Sequence, residues 1–333
     1  MKVYSGNFLK DVITRLLEEG YRVYAPVKEG NYHVFRVVKS ADETDFDYIN
    51  TKKSPKEVTF PENEILIKYG EWVEELPEQP DRLAIVGIRP CDVKGIRLMD
   101  RVFLEDITDP YYEAKRKNLL IIGYACNQAG DYCFCSSVGI KPYSSEGVDI
   151  LVTNLNGRQI VEVVSDAGKE LAANFELTDA SAEDIEAKKE LEKKVMESFT
   201  RKVDTENLEE RMKRAFDSDY WKEVATNCIS CGTCTYLCPT CFCFDIFDDG
   251  ELKGVRIRAW DSCQFPLHTL ESSSHNPRPE KWQRLRNRFY DKFYYMLVRK
   301  GELYCVGCGR CSAACPVGID IAEVIDNVPS EVE

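Results

Sequence analysis

The residues best suited to chemistry in this sequence are its thiols. Two runs stand out: Cys228-x2-Cys231-x2-Cys234-x3-Cys238-Pro239 and Cys305-x2-Cys308-x2-Cys311-x3-Cys315-Pro316. Three thiolates spaced two residues apart can wrap three corners of one cubane from a tight loop. The fourth cysteine, past the loop, reaches the other cluster. Gly232 and Gly309 fall where the chain must turn closely around sulfide, and Pro239 and Pro316 set the chain direction after the run. The pattern predicts two [4Fe–4S] clusters with crossed ligation. Cluster one takes Cys228, Cys231, Cys234 and Cys315; cluster two takes Cys305, Cys308, Cys311 and Cys238. Zinc sites use close pairs separated by a long gap, which this is not.

The other thiols are less regular. Of 15 cysteines, four lie in 91–135, none in 136–227 and eleven in 228–315. Cys91 follows the apolar run Leu83–Ile88, and Cys126 follows Leu119–Gly123. If those runs are neighbouring parallel strands, both thiols lie at the carboxyl edge of a sheet, where open α/β sheets build sites. Cys133 and Cys135 sit in the loop just beyond. Four thiols there suit a third [4Fe–4S] cluster or a structural zinc, or they remain as thiols. Cys241, Cys243 and Cys263 complete the set. They line the surroundings of cluster sulfur, ligate something further, or are inert and buried.

The insert between the two runs contains Trp260-Asp-Ser-Cys263, His275-Asn-Pro-Arg-Pro279 and a predicted helix from Glu280 to Lys300. That helix carries Lys281, Arg284, Arg286, Arg288, Lys292, Arg299 and Lys300 against Glu280 and Asp291. It either tunes cluster potential or docks an acidic partner, or it is simply a solvated face. Its aromatic residues Trp282, Phe289, Phe293 and Tyr294 are suited to shielding clusters from water.

The elements that must position these thiols follow from periodicity. Met1 to Gly20 reads as an amphipathic helix, and Arg22–Val27 and His33–Val38 read as strands. Leu83–Ile88 and Leu119–Gly123 are short, apolar, β-branched runs of buried-strand type. The helical segment Asp92–Lys117 between them implies a parallel crossover. Val148–Asn154 and Gln159–Val164 read as strands joined by an Asn156-Gly157 turn. A spacer from Leu177 to Asp217 reads as one or two charged helices, with N-caps among Thr178–Ser181. The expected fold is an α/β N-terminal domain (1–170) with an additional Fe–S site, then a charged helical linker (171–220). A mostly α-helical, ferredoxin-like domain with two [4Fe–4S] clusters follows (221–333).

Composition excludes other classes. The 333 residues hold 44 basic and 57 acidic side chains, a net charge of −13. A nucleic-acid binder would need a basic face. Fifteen cysteines is an odd number and too low a density for a disulfide scaffold. The charged N-terminal segment does not read as an export signal, and no apolar stretch is long enough to span a bilayer. A cytoplasmic location is expected, where thiols stay reduced.

The chain resembles the family of the sulfhydrogenase beta subunit, which also includes a related subunit of anaerobic sulfite reductase. The resemblance rests on Gly87-Ile-Arg-Pro-Cys91-Asp92, Cys133-Phe-Cys135-Ser-Ser-Val-Gly139, Cys238-Pro-Thr-Cys241-Phe-Cys243-Phe-Asp245, Trp260-Asp-Ser-Cys263, His275-Asn-Pro-Arg278 and Cys305-Val-Gly-Cys308-Gly-Arg-Cys311. It spans nearly the whole chain and departs at Ile140-Lys-Pro142, where a small residue and Gly are expected before the Pro. The resemblance implies an electron-carrying subunit in a hetero-oligomer. Its partners would be an FAD/NAD(P)-binding subunit and a catalytic subunit of hydrogenase, sulfite reductase or heterodisulfide-reductase type.

The residues agree with that division of labour. There is no GxGxxG and no P-loop, so nicotinamide and flavin chemistry belong on another chain. The three histidines, His33, His268 and His275, supply little general acid–base capacity, and no catalytic residue is assigned. Two alternatives are a stand-alone Fe–S enzyme reducing a small substrate at the N-terminal cysteines, and a redox-sensing module.

Overall fold

The computed structural model describes residues 1–75, 81–155 and 157–330. In chain order the strands of the N-terminal part are β1 (Lys2–Tyr4), β2 (Arg22–Glu29), β3 (Tyr32–Val38), β4 (Asn63–Tyr69), β5 (Val73–Glu75) and β6 (Leu83–Ile88). They are followed by β7 (Leu119–Tyr124), β8 (Ile150–Leu155), β9 (Arg158–Val163), β10 (Thr178–Asp179), β11 (Phe244–Asp249) and β12 (Gly254–Trp260). The chain divides into two compact units. The first comprises Met1–Phe60, Pro77–Asp131 and Gly139–Thr200; the second comprises Pro61–Leu76, Tyr132–Val138 and Arg201–Glu333.

Among the described residues, the first unit is built on an eight-stranded sheet in the order β10-β1-β9-β8-β7-β6-β2-β3. Its centre is parallel, β2 to β6, β6 to β7 and β7 to β8. Every residue of β6 and β7 is buried, as continuous apolar runs in a two-sided sheet require. The Asn156 half of the predicted Asn156-Gly157 turn lies outside the described residues; β8 and β9 pair antiparallel on either side of it.

Two expectations change here. The N-terminal helix does not begin at Met1: Lys2–Tyr4 pairs with both β9 and β10, and the helix runs Phe8–Glu18. The Asn7 side chain accepts from the Lys10 N–H at 3.3 Å and starts the helix there. Phe8, Leu9, Val12, Ile13 and Leu16 are all buried on its inner face. The segment joining β6 to β7 forms two helices, Pro90–Phe103 and Pro110–Lys117. Pro110 cannot continue a helix from its N-terminal side but suits a first position, and Asp109 caps the new helix through the Tyr112 N–H at 2.8 Å.

The spacer contributes helices Ala182–Glu197 and Leu208–Arg214. Ser181 and Asp184 form a reciprocal capping box at the first.

The second unit contains an antiparallel sheet in the order β11-β12-β4-β5. An expectation of a mostly helical domain misses this sheet, which recruits β4 from far upstream. Its helices include Tyr220–Ala225, Lys281–Tyr290 and Ile321–Asp326. They enclose a core of Phe134, Met212, Trp221, Phe289, Tyr290, Phe293 and Ile325. The helix from Lys281 continues through a π turn, Asp291–Tyr295, to Lys300.

Candidate iron–sulfur centres

The two cysteine runs fold as a structural repeat. In the first, Ser230 and Gly232 have φ of 54° and 73°; in the second, Gly307 and Gly309 have 60° and 74°. These left-handed residues turn the chain so that Gly232 and Gly309 each open a short helix, Thr233–Tyr236 and Arg310–Ala313. The repeat extends to hydrogen bonds. The Ser230 N–H points at Cys228 Sγ at 3.4 Å, and the Gly307 N–H points at Cys305 Sγ at 3.5 Å. The Ile319 N–H does the same for Cys315 Sγ at 3.2 Å. Such N–H···S contacts stabilise negative charge on sulfur.

Two cavities lie beside these loops. One, of about 490 Å³ counting the space open to solvent, is lined by Cys228, Cys231, Cys234 and Cys315, with Cys311 also bordering it. The other, of about 320 Å³ on the same measure, is lined by Cys238, Cys305, Cys308 and Cys311. The fourth cysteine of each run therefore lies at the cavity of the opposite run. Apolar side chains, among them Leu285, Phe289 and Ile321, complete the first lining.

The basic helix is where a solvated face is overturned. Arg284, Arg286, Arg288 and Lys292 are buried, whereas Arg299 is exposed. Arg284 donates to the Gln264 and Pro279 carbonyls. Arg286 donates to Phe216 O at 2.6 Å and lies 3.7 Å from the centre of that residue's ring. Arg288, 3% exposed, borders both cavities and donates to Cys234 O at 3.1 Å. Lys292, also 3% exposed, borders the second cavity. Its ammonium donates to the Thr240 carbonyl at 2.8 Å and hydroxyl at 3.0 Å. That hydroxyl lies 3.3 Å from Cys238 Sγ.

Burial and these cations act on the thiols in opposite directions. Burial pushes Cys234 up to about 12, against the pull of Arg288. Cys305 is also raised by burial. Cys238 is held well below the ordinary thiol value, first by a hydrogen bond from Cys241 and then by Lys292 and Arg288. Four thiolates in an apolar cavity need such compensation. All-sulfur donor sets, N–H groups aimed at sulfur, and buried cations together fit a [4Fe–4S] cluster in each cavity.

The remaining predicted residues are divided between the two units. Cys91 lies in the first turn of the helix after β6, and Cys126 lies just beyond β7. Both are at the carboxyl ends of parallel strands in the first unit. Near both is Arg89, which lies in the Gly87–Asp92 motif but was given no role from the sequence. It is 5% exposed, donates to Ala125 O at 2.8 Å, and stacks on the rings of Tyr48 and Tyr124. Burial works against its charge, but Tyr48, Cys126 and Cys91 hold it above its ordinary value. A β-bulge at Gly87 re-aims the chain just before Arg89. Gly87 has φ of 88°, and a Cβ there would come within 2.5 Å of Phe46.

Cys133 and Cys135 belong to the second unit. Their segment packs on the second cysteine loop: the Phe134 N–H donates to Gly307 O at 2.8 Å, and Cys133 Sγ is 3.9 Å from Cys308 O. A Cβ at Gly309 would meet Tyr132 O at 2.4 Å. The close approach therefore requires the glycine.

Known proteins place this geometry in a family. A family model described as a 4Fe-4S dicluster domain matches residues 227–319. The sulfhydrogenase 2 subunit beta of Pyrococcus furiosus is 35% identical over 332 residues, covering 98% of each chain. The F420-dependent formate dehydrogenase subunit beta of Methanocaldococcus jannaschii is 22% identical over 183 residues, 53% of this chain and 40% of that protein. With identity running through both units and the dicluster domain spanning both cysteine runs, the chain belongs to the sulfhydrogenase beta-subunit family.

Proposed function

We propose that this chain is an electron-transfer subunit of a multi-subunit oxidoreductase, relaying electrons between an FAD/NAD(P)-binding subunit and a catalytic subunit. The observation that carries this reading is the pair of neighbouring cavities, each bordered by four or more cysteines from both runs. When bound, [4Fe–4S] clusters accept and release single electrons. Cys228, Cys231, Cys234 and Cys315 hold the first; Cys305, Cys308, Cys311 and Cys238 hold the second. The chain's own contribution is to exclude water with Leu285, Phe289 and Phe134. It also offsets thiolate charge with Arg288 and Lys292 and orients sulfur through backbone N–H groups. The catalytic partner is of hydrogenase, sulfite reductase or heterodisulfide-reductase type. The names of both relatives, each a beta subunit, support a place in such an assembly.

Crossed ligation has a direct test. Cys315→Ser is expected to alter the spectrum of the cluster held by the first run, and Cys238→Ser that of the second. Reduced samples would be compared by electron paramagnetic resonance. If Cys315→Ser disturbs only the signal lost in Cys308→Ser, ligation is not crossed. The expected third cluster, on Cys91, Cys126, Cys133 and Cys135, is read by iron: about twelve atoms per chain for three clusters against about eight for two.

A further inference from the structure

Three cysteines lie outside both runs and outside the N-terminal group: Cys241, Cys243 and Cys263. Cys241 is hydrogen-bonded to Cys238 and so belongs to the second cavity's surroundings. Cys243 and Cys263 are hydrogen-bonded to each other. They flank the two strands of one antiparallel pair. Cys243 immediately precedes β11, Cys263 follows β12, and the register Phe244↔Trp260 carries on through an Asp261 N–H to Cys243 O bond of 3.0 Å. The two differ in access. Cys243 is half-buried beside a β11 whose residues are all exposed, and Cys263 is 5% exposed. Gln264 holds Cys263 in place with a 3.5 Å contact from its amide to Sγ, and anchors itself on Arg284 O at 3.0 Å.

We propose that Cys243 and Cys263 are a thiol–disulfide redox pair, with Cys243 attacking a low-molecular-weight disulfide and Cys263 resolving the adduct. The Cys243 thiolate attacks one sulfur of the small disulfide, forms a mixed disulfide and releases one thiolate. Cys263 then gives up its proton, attacks the Cys243 sulfur and expels the second thiolate. The balance is two protein thiols plus one small disulfide giving one protein disulfide plus two small thiols, and excess thiol reverses it. The electrostatics match this order. The hydrogen bond from Cys263 holds the Cys243 thiol below its ordinary value, burial and Asp291 oppose that, and Lys292 assists it. The same hydrogen bond and burial keep Cys263 protonated. A pair with one partly exposed thiol held below its ordinary value and one buried resolving thiol is an arrangement that suits thiol exchange.

The test uses the full chain, purified anaerobically with its iron counted. It is treated with 2-hydroxyethyl disulfide, acid-quenched, alkylated and mapped by mass spectrometry without reduction. The expected result is a Cys243–Cys263 linked peptide, two fewer alkylated thiols, unchanged iron, and full reversal by dithiothreitol. Cys263→Ser should trap a stable mixed disulfide on Cys243, while Cys243→Ser should leave Cys263 unmodified, both with wild-type iron. Iron loss in either variant, rescued in neither Cys243→Ala nor Cys263→Ala, would make these residues cluster ligands and overturn the proposal. Linkage to any other cysteine, or no linkage, would also overturn it. Because the readout is the linked peptide, the proposal can fail while the two-cluster reading stands, and the reverse.

Discussion

Arg288 carries its charge in the interior and borders both cysteine-lined cavities. Its burial is opposed by the thiols around it, Cys234 and Cys311 foremost, which hold it firmly protonated. Adding an electron to either cluster adds negative charge near this fixed cation, so the cation favours reduction. Arg288→Gln is expected to lower both midpoint potentials. The drop should be on the order of 70–100 mV, the effect of a unit charge over about 7–10 Å at an effective dielectric near 20. Lys292→Gln is expected to lower mainly the second, since Lys292 borders only that cavity among the two. Anaerobic potentiometric titration reads both, with Arg288→Lys restoring part of the shift. At this scale the sequence exposed the candidate ligand thiols, because their spacing is itself a chemical signal. It concealed the role of the cations. A run of Arg and Lys on one helix looks the same whether it faces water or two clusters, and only the packing of Arg284, Arg286, Arg288 and Lys292 tells them apart.

At the scale of elements, local signals were readable where they were strong. The buried strands β6 and β7 and their parallel pairing follow from apolar runs and a helical crossover. Of the candidate caps in Thr178–Ser181, the structure uses Ser181, in a box with Asp184 that the sequence reading did not single out. Ser181→Ala is expected to cost about 1 kcal/mol, because the Asp184 N–H loses its acceptor. Anaerobic urea unfolding followed by circular dichroism would measure it; no change would mean the box adds nothing to stability. What stayed hidden was non-local. The strand β4 pairs with β12 across almost two hundred residues of chain, a partnership no local pattern encodes. The alternation Val255-Arg256-Ile257-Arg258 within Gly254–Trp260 is nonetheless a strand signal. The split of the crossover at Pro110, missed when Asp92–Lys117 is read as one helical segment, follows from the proline rule.

For the whole molecule, the acidic balance of −13 gains meaning once six basic residues, Arg258, Arg284, Arg286, Arg288, Lys292 and Arg310, are buried in the second unit. No described helix is long and apolar enough to cross a membrane. The reading as one link in an electron-transfer assembly predicts that anaerobic isolation from the native host brings a flavin-containing subunit and a redox-active catalytic subunit with it. A chain that purifies alone and turns over a substrate unaided would contradict that. The central claim is that the two cysteine runs bind two [4Fe–4S] clusters, and it is tested most directly by counting. Iron and acid-labile sulfide measured on the anaerobically purified chain should both be at least about eight per chain, at four per cluster. Both should fall by about four per chain, one cluster's worth, when Cys308 is replaced by Ser. Zinc in place of iron, or an iron count unmoved by that substitution, would contradict the account.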